Sequence, residues 1–104
     1  MGLKINWTYF AKSELQKIFD YYNENVSPAI AKNLVVGIVK ESKKLQNSPE
    51  IGQLEDLLTE LCNCRYLVFK NYKIVYYFNK NSSSVEILDV FDSRQNPIKI
   101  KRRK

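Results

Sequence analysis

The chain has no histidine. Its absence removes the side chain most often used as a general base near neutral pH, and with it Ser-His-Asp, Cys-His and histidine-pair nuclease chemistry. Glycine is scarce, three residues in 104, and none stands in a glycine-rich phosphate loop. The only cysteines are Cys62 and Cys64, spaced as C-N-C. Two thiols without histidine cannot close a zinc site, and a disulfide across that spacing on an extended strand would be strained, so both are expected as reduced core or rim residues. The acids are not spaced as metal ligands, and neither metal nor cofactor is expected. No apolar run reaches the ~18 residues of a membrane span, and no signal-peptide pattern opens the chain. Met1-Gly2 is followed at position 6 by Asn6 instead of the Ser or Thr that myristoylation favours. The expectation is a cytoplasmic protein with no membrane partner.

What is present suits one folded domain. Hydrophobic residues make up 44% of the chain, including seven tyrosines, five phenylalanines and one tryptophan, enough for a core and too many for a disordered chain. Charge is uneven. Residues 1–64 hold seven lysines against eight acids, a net of −1, whereas residues 65–104 hold ten Lys or Arg against three acids, a net of +7. The terminal KIKRRK supplies five of those ten, and without it the second half still carries +2. Basic charge gathered on one half points to an acidic or polyanionic partner there. The acids Glu50, Glu55, Asp56 and Glu60 are better read as a solvated loop than as a complementary face.

Periodicity orders the elements. Leu3–Trp7 reads as a short strand, and Thr8 as the N-cap of an amphipathic helix with Ala11, Leu15, Ile18, Phe19 and Tyr22 on one face. Asn23–Val26 breaks the pattern, and Ser27-Pro28 restarts it with a cap and a first-turn proline; this second helix runs to about Gln46. So short a loop makes the pair antiparallel. The NSPEIG stretch ends the hairpin, and Leu54–Leu61 is ambiguous between a helical turn and an irregular link. Three β-branched and aromatic runs follow, CRYLVF, NYKIVYYF and SVEILDVF, separated by turns as in consecutive hairpins. The predicted fold is α+β, a helical hairpin on a mainly antiparallel sheet of about four strands, in one domain over 1–98 with a basic tail at 99–104.

Without histidine, chemistry would fall to Lys, Arg and Tyr. Strand parity puts Lys73, Val75 and Tyr77 on one face and Ile74, Tyr76 and Phe78 on the other. Arg65 opens the preceding strand, Lys70 sits in the turn, and Arg94 leaves the last strand in FDSRQNP. If these strands are neighbours, Arg65, Lys73 and Arg94 converge on a surface away from the helices, able to grip a phosphate backbone or an acidic protein tail. On RNA, an arginine pair could stabilise transition-state charge and a lysine of lowered pKa could take the 2′-hydroxyl proton. Taken singly, each is better explained as a solvated charge or an ion-pair donor. The tyrosines are mostly core and rim residues, with exposed ones able to stack on bases.

In order and spacing, WTYFAKSELQKIFDYY, the helix after Ser27-Pro28, SPEIG, RYLVFKNYKIVYYF and VEILDVFDSRQNP resemble the RelE/ParE superfamily of bacterial toxins over about residues 3–98. The resemblance implies a growth-inhibiting toxin of a type II toxin-antitoxin module, often serving plasmid stabilization, in a hetero-oligomer with a co-expressed antitoxin. It implies one of two targets: RelE-like members cleave mRNA on the ribosome with a basic cluster, and ParE-like members inhibit DNA gyrase. Arg65, Lys73 and Arg94 fall where RelE-like members place catalytic residues, and Arg65, Lys70, Lys73, Tyr77, Arg94 and Lys99 are the expected partner- or nucleic-acid-binding set. The chain departs from the nucleases in having Lys73 where arginine is common, Leu67 where a second basic residue is expected, and no tyrosine or histidine in 95–104. With the long helical hairpin, this favours a ParE-like toxin binding an acidic antitoxin, with a RelE-like endonuclease or an inactive basic binding domain as alternatives.

Overall fold

The computed structural model describes residues 2–54 and 64–94. In chain order the elements are β1 (Lys4–Trp7), α1 (Tyr9–Asn25), α2 (Pro28–Lys43), a 3₁₀ turn (Lys44–Gln46), β2 (Gln53–Leu54), β3 (Arg65–Phe69), β4 (Tyr72–Asn79) and β5 (Ser84–Asp92). Both predicted caps form. The Thr8 Oγ1 accepts a hydrogen bond from the Ala11 N–H at 3.2 Å and donates one to the Ile87 carbonyl at 2.7 Å, so the residue that starts α1 also ties it to β5. Ser27 Oγ accepts from the Ile30 N–H at 3.1 Å, with Pro28 in the first helical position. The second helix gives way to the 3₁₀ turn after Lys43, and the Gln46 carbonyl accepts from the Leu3 N–H at 2.8 Å, docking the turn beside the start of β1.

The five strands form one sheet in the order β1-β5-β4-β3-β2. β1 lies parallel to β5 and every other pairing is antiparallel. The expected sheet of about four strands thus gains a fifth, because Gln53 and Leu54 pair with Tyr66 and Arg65. Two residues are too few for an alternation to show in the sequence.

Helices cover one face of the sheet. Ala11, Leu34, Ile38 and Leu45 pack there against Leu67, Tyr72, Ile74, Tyr76, Val85, Ile87 and Val90. Gly37 is a packing requirement: a Cβ on it would overlap the Phe69 ring, so α2 and β3 approach this closely only with glycine here. A smaller cluster of Cys64, Val75 and Phe91, flanked by Tyr66, Tyr77 and Leu88, covers part of the opposite face.

β5 serves both faces through a bulge. Val75 pairs with Asp89 while the next residue, Tyr76, pairs with Ile87, so Leu88 is the extra residue. Val85 and Ile87 face the helices before it; after it Val90 does, and Asp89 and Phe91 turn away.

Cys64 is disulfide-bonded, where a reduced thiol was expected. It precedes β3 instead of lying in it, so the extended-strand geometry behind that expectation does not hold at this residue. The other cysteine, Cys62, lies outside the described residues, as do Glu55, Asp56, Glu60 and Lys99.

Candidate functional site

The expected convergence of Arg65, Lys73 and Arg94 on one outer surface does not occur. Lys73 alone takes the face away from the helices: it pairs with Val68 and Phe91, and its Nζ sits 4.2 Å from the centroid of the Tyr66 ring. Arg65 pairs with Tyr76, whose ring belongs to the helix-side core, and so lies on the other face. Arg94 follows Asp92, which pairs with Tyr72, another helix-side residue. The two arginines are also at opposite ends of the β3–β4 ladder, one beside Tyr76 and the other beyond Tyr72. Lys70 stays in the β3–β4 turn with φ of 54°, its Nζ 5.8 Å from the Phe69 ring centroid. Tyr77, half-buried, is on the Lys73 face, opposite Glu86.

At the Arg65 end a loop is held on two sides. The buried Tyr76 hydroxyl donates to the Pro49 carbonyl at 2.7 Å and accepts from the Gly52 N–H at 2.9 Å. Burial pushes the hydroxyl pKa up, against the Gly52 hydrogen bond, which lowers it. Gly52 is required by the close approach, since a Cβ would come within 2.6 Å of that hydroxyl. From the other side, Nη1 of Arg65 donates to the carbonyls of Glu50 at 3.3 Å and Gly52 at 2.8 Å. Next to this loop is a cleft of about 480 Å³ lined by Glu50, Leu54, Arg65, Tyr77, Phe78, Asn79, Lys80 and Asn81.

At the Arg94 end a second cleft, of about 430 Å³, opens between α1 and the edge of β4 and β5. Ile18, Tyr22, Tyr72 and Val90 are among its lining residues, together with Lys17 and Arg94. Both cations are already paired. Lys17 meets Glu14 at 3.0 Å, and Arg94 grips Asp92 through Nε at 3.1 Å and Nη2 at 2.8 Å. The Asp92 hydrogen bond raises the guanidinium pKa further. The Tyr72 and Tyr22 hydroxyls stand 3.5 Å apart, and burial first, then that contact, raises the Tyr72 pKa. Among the described residues no group of three metal-ligating side chains stands together.

A model of the ParE toxin of the type II toxin-antitoxin system parDE matches residues 5–97. The chain belongs to the ParE toxin family. It is a ParE-like toxin of a type II system, with RelE-like toxins as structural relatives. In fold, the toxin is similar to a chain of the chromosomal ParDE system of P. aeruginosa, with 23% identity, a TM-score of 0.72, and 86% of this chain and 95% of that one covered. It is also similar to a chain of the RelBE2 complex of Mycobacterium tuberculosis, at 20% identity, TM-score 0.60 and coverage of 88% and 99%. For the intact E. coli RelBE complex the values are 14%, 0.59, 89% and 99%. No curated protein matches.

Sequence reasoning passed over several residues that shape these clefts in the toxin. Tyr22 read as part of the apolar face of the first helix, Tyr76 as sharing a strand face with Ile74 and Phe78, Tyr72 as one of the tyrosines of core and rim, and the residues from Asn79 on as a turn between strands. The one signal for Tyr76 is indirect: a glycine ending S-P-E-I-G marks a close approach without saying what approaches.

Proposed function

We propose that the toxin arrests growth by binding DNA gyrase as a protein ligand, and that an acidic antitoxin neutralises it. The observation that carries this reading is the separation of Arg65, Lys73 and Arg94 over two faces of the sheet and both ends of the β3–β4 ladder. A phosphoryl-transfer site needs its charges within reach of one phosphate; this arrangement instead spreads contact points over a wide protein surface. Membership of the ParE family and the long helical hairpin support the same reading. The net charge of +6, concentrated after residue 64, supports an acidic antitoxin whose affinity falls as salt rises.

The test is a supercoiling assay with purified gyrase. Micromolar toxin inhibits supercoiling or traps cleaved DNA, and the antitoxin reverses the effect. An inert toxin there, together with message cuts in a translating extract that vanish with Arg94→Ala, would replace this reading with ribosome-dependent cleavage.

A further inference from the structure

We infer that the cleft beside Arg65 is a receptor for a single carboxylate on an acidic protein segment, one in which an Asp or Glu stands next to an aliphatic residue. The inference rests on the toxin reading only in identifying the carrier of that segment as the antitoxin. Arg65 is half-buried and positioned through one nitrogen: Nη1 donates to the Glu50 and Gly52 carbonyls, at 3.3 and 2.8 Å. Carbonyl partners fix the guanidinium without neutralising it, and no carboxylate among the described residues pairs with it. Its Nε and Nη2 edge therefore keeps the fork geometry that binds a carboxylate through two parallel hydrogen bonds.

The rest of the cleft adds donors. Asn79 Oδ1 accepts from the backbone N–H of Asn81 at 3.1 Å and of Ser82 at 3.3 Å, which leaves its amide nitrogen to donate to a ligand. Lys80 is exposed in the turn beside it. Leu54, a lining residue 52% exposed, offers an apolar contact.

Glu50 decides between ligand classes. It lines the same cleft, so among the described residues Arg65 and Lys80 leave a net of only +1 there. One carboxylate is matched by that charge; a phosphate chain, which brings a charge with every residue, is repelled by Glu50 and finds no continuous line of cations among the described residues of the cleft. Tyr77 is half-buried, so it is not an open platform for stacking a base.

The experiment is a titration of the ¹⁵N-labelled full chain, followed by NMR, with a blocked leucine-glutamate-leucine peptide. Saturable shifts are expected at the Arg65 Nε–H and at the side-chain amides of Asn79 and Asn81. The glutamine version of the peptide, inorganic phosphate and a short oligouridylate should leave those signals unchanged. Arg65→Gln is expected to weaken binding roughly tenfold to a hundredfold, as befits loss of a charge-assisted pair. Because Arg65 also holds the Pro49–Gly52 loop, Lys80→Glu on an exposed turn is the second variant, and it should weaken binding while leaving the backbone spectrum away from the cleft intact. Equal binding of the glutamine peptide, an absence of shifts, or displacement of the peptide by oligouridylate overturns the proposal. Binding is read on purified protein, so failure of gyrase inhibition would leave this result standing, and the converse also holds.

Discussion

The two ends of the β3–β4 ladder each carry an arginine next to a tyrosine, yet they are built on opposite terms. At one end Tyr76 is fully buried and Arg65 half-buried, and both spend their hydrogen bonds on backbone atoms of the Pro49–Gly52 loop. At the other end Arg94 is exposed and closes on the carboxylate of Asp92, two residues away, while Tyr72 reaches only the hydroxyl of Tyr22. The lesson is that a carbonyl anchor orients an arginine and preserves its charge, whereas a carboxylate anchor orients it and cancels the charge. Two arginines that look equivalent in the sequence therefore differ in what they can offer a partner.

The comparison can be broken most forcefully at Tyr76. Tyr76→Ala removes a fully buried ring and both loop hydrogen bonds, and should cost about 3–5 kcal/mol in urea unfolding. Next in size is partner affinity. Arg65→Gln should lose roughly 1.5–3 kcal/mol of antitoxin binding in calorimetry, the range for hydrogen bonds to charged groups. Arg94→Gln should change it far less, because its charge is exposed and already neutralised. Asp92→Asn sharpens the same point: it releases Arg94, and antitoxin binding should become more salt-dependent. If the two arginine variants weakened binding equally, the distinction between carbonyl and carboxylate anchoring would fail.

Smaller effects come from the hydroxyls alone. Tyr76→Phe leaves the Gly52 N–H and Pro49 carbonyl without their partner and should cost about 1–3 kcal/mol, whereas Tyr72→Phe should cost under about 1 kcal/mol because its contact is long. The smallest effect is nil at neutral pH and appears only in alkali. Both hydroxyls have folded-state pKa values raised above the ordinary 10.0, chiefly by burial. The folded state thus holds protons that the unfolded state releases above about pH 10, so stability is flat up to that point and falls beyond it. Tyrosinate absorbance should rise together with unfolding, and either Phe variant should make the alkaline decline shallower. Ionisation of all seven tyrosines near pH 10 with the fold intact would contradict this.

Much of the architecture was legible because local chemistry and tertiary packing agree. Thr8 and Ser27-Pro28 announce helix starts through oxygens that accept N–H groups three residues on, and the structure forms both bonds. β3, β4 and β5 were legible as alternating aromatic and β-branched runs bounded by turns. β2 was not, since Gln53 and Leu54 become a strand only by meeting Tyr66 and Arg65. The site was less legible than the fold. Parity within β4 correctly separated Lys73 from Tyr76, but the face of Arg65 depends on which β4 residue it meets, and that register is a property of two strands. The anchoring of Arg65 depends on a loop more than ten residues earlier, which no pattern within β3 encodes.

The bulge at Leu88 has a consequence for comparing this toxin with its relatives. A single extra residue resets the alternation of β5, so everything after it, Asp92 and the approach to Arg94 included, takes the face it would otherwise have surrendered. A relative matching this segment letter for letter but lacking one residue before Asp89 would preserve the motif and reverse its orientation. Counting positions from the end of the motif then pairs residues that look in opposite directions, and an arginine transferred by spacing alone can arrive on the wrong side of the protein.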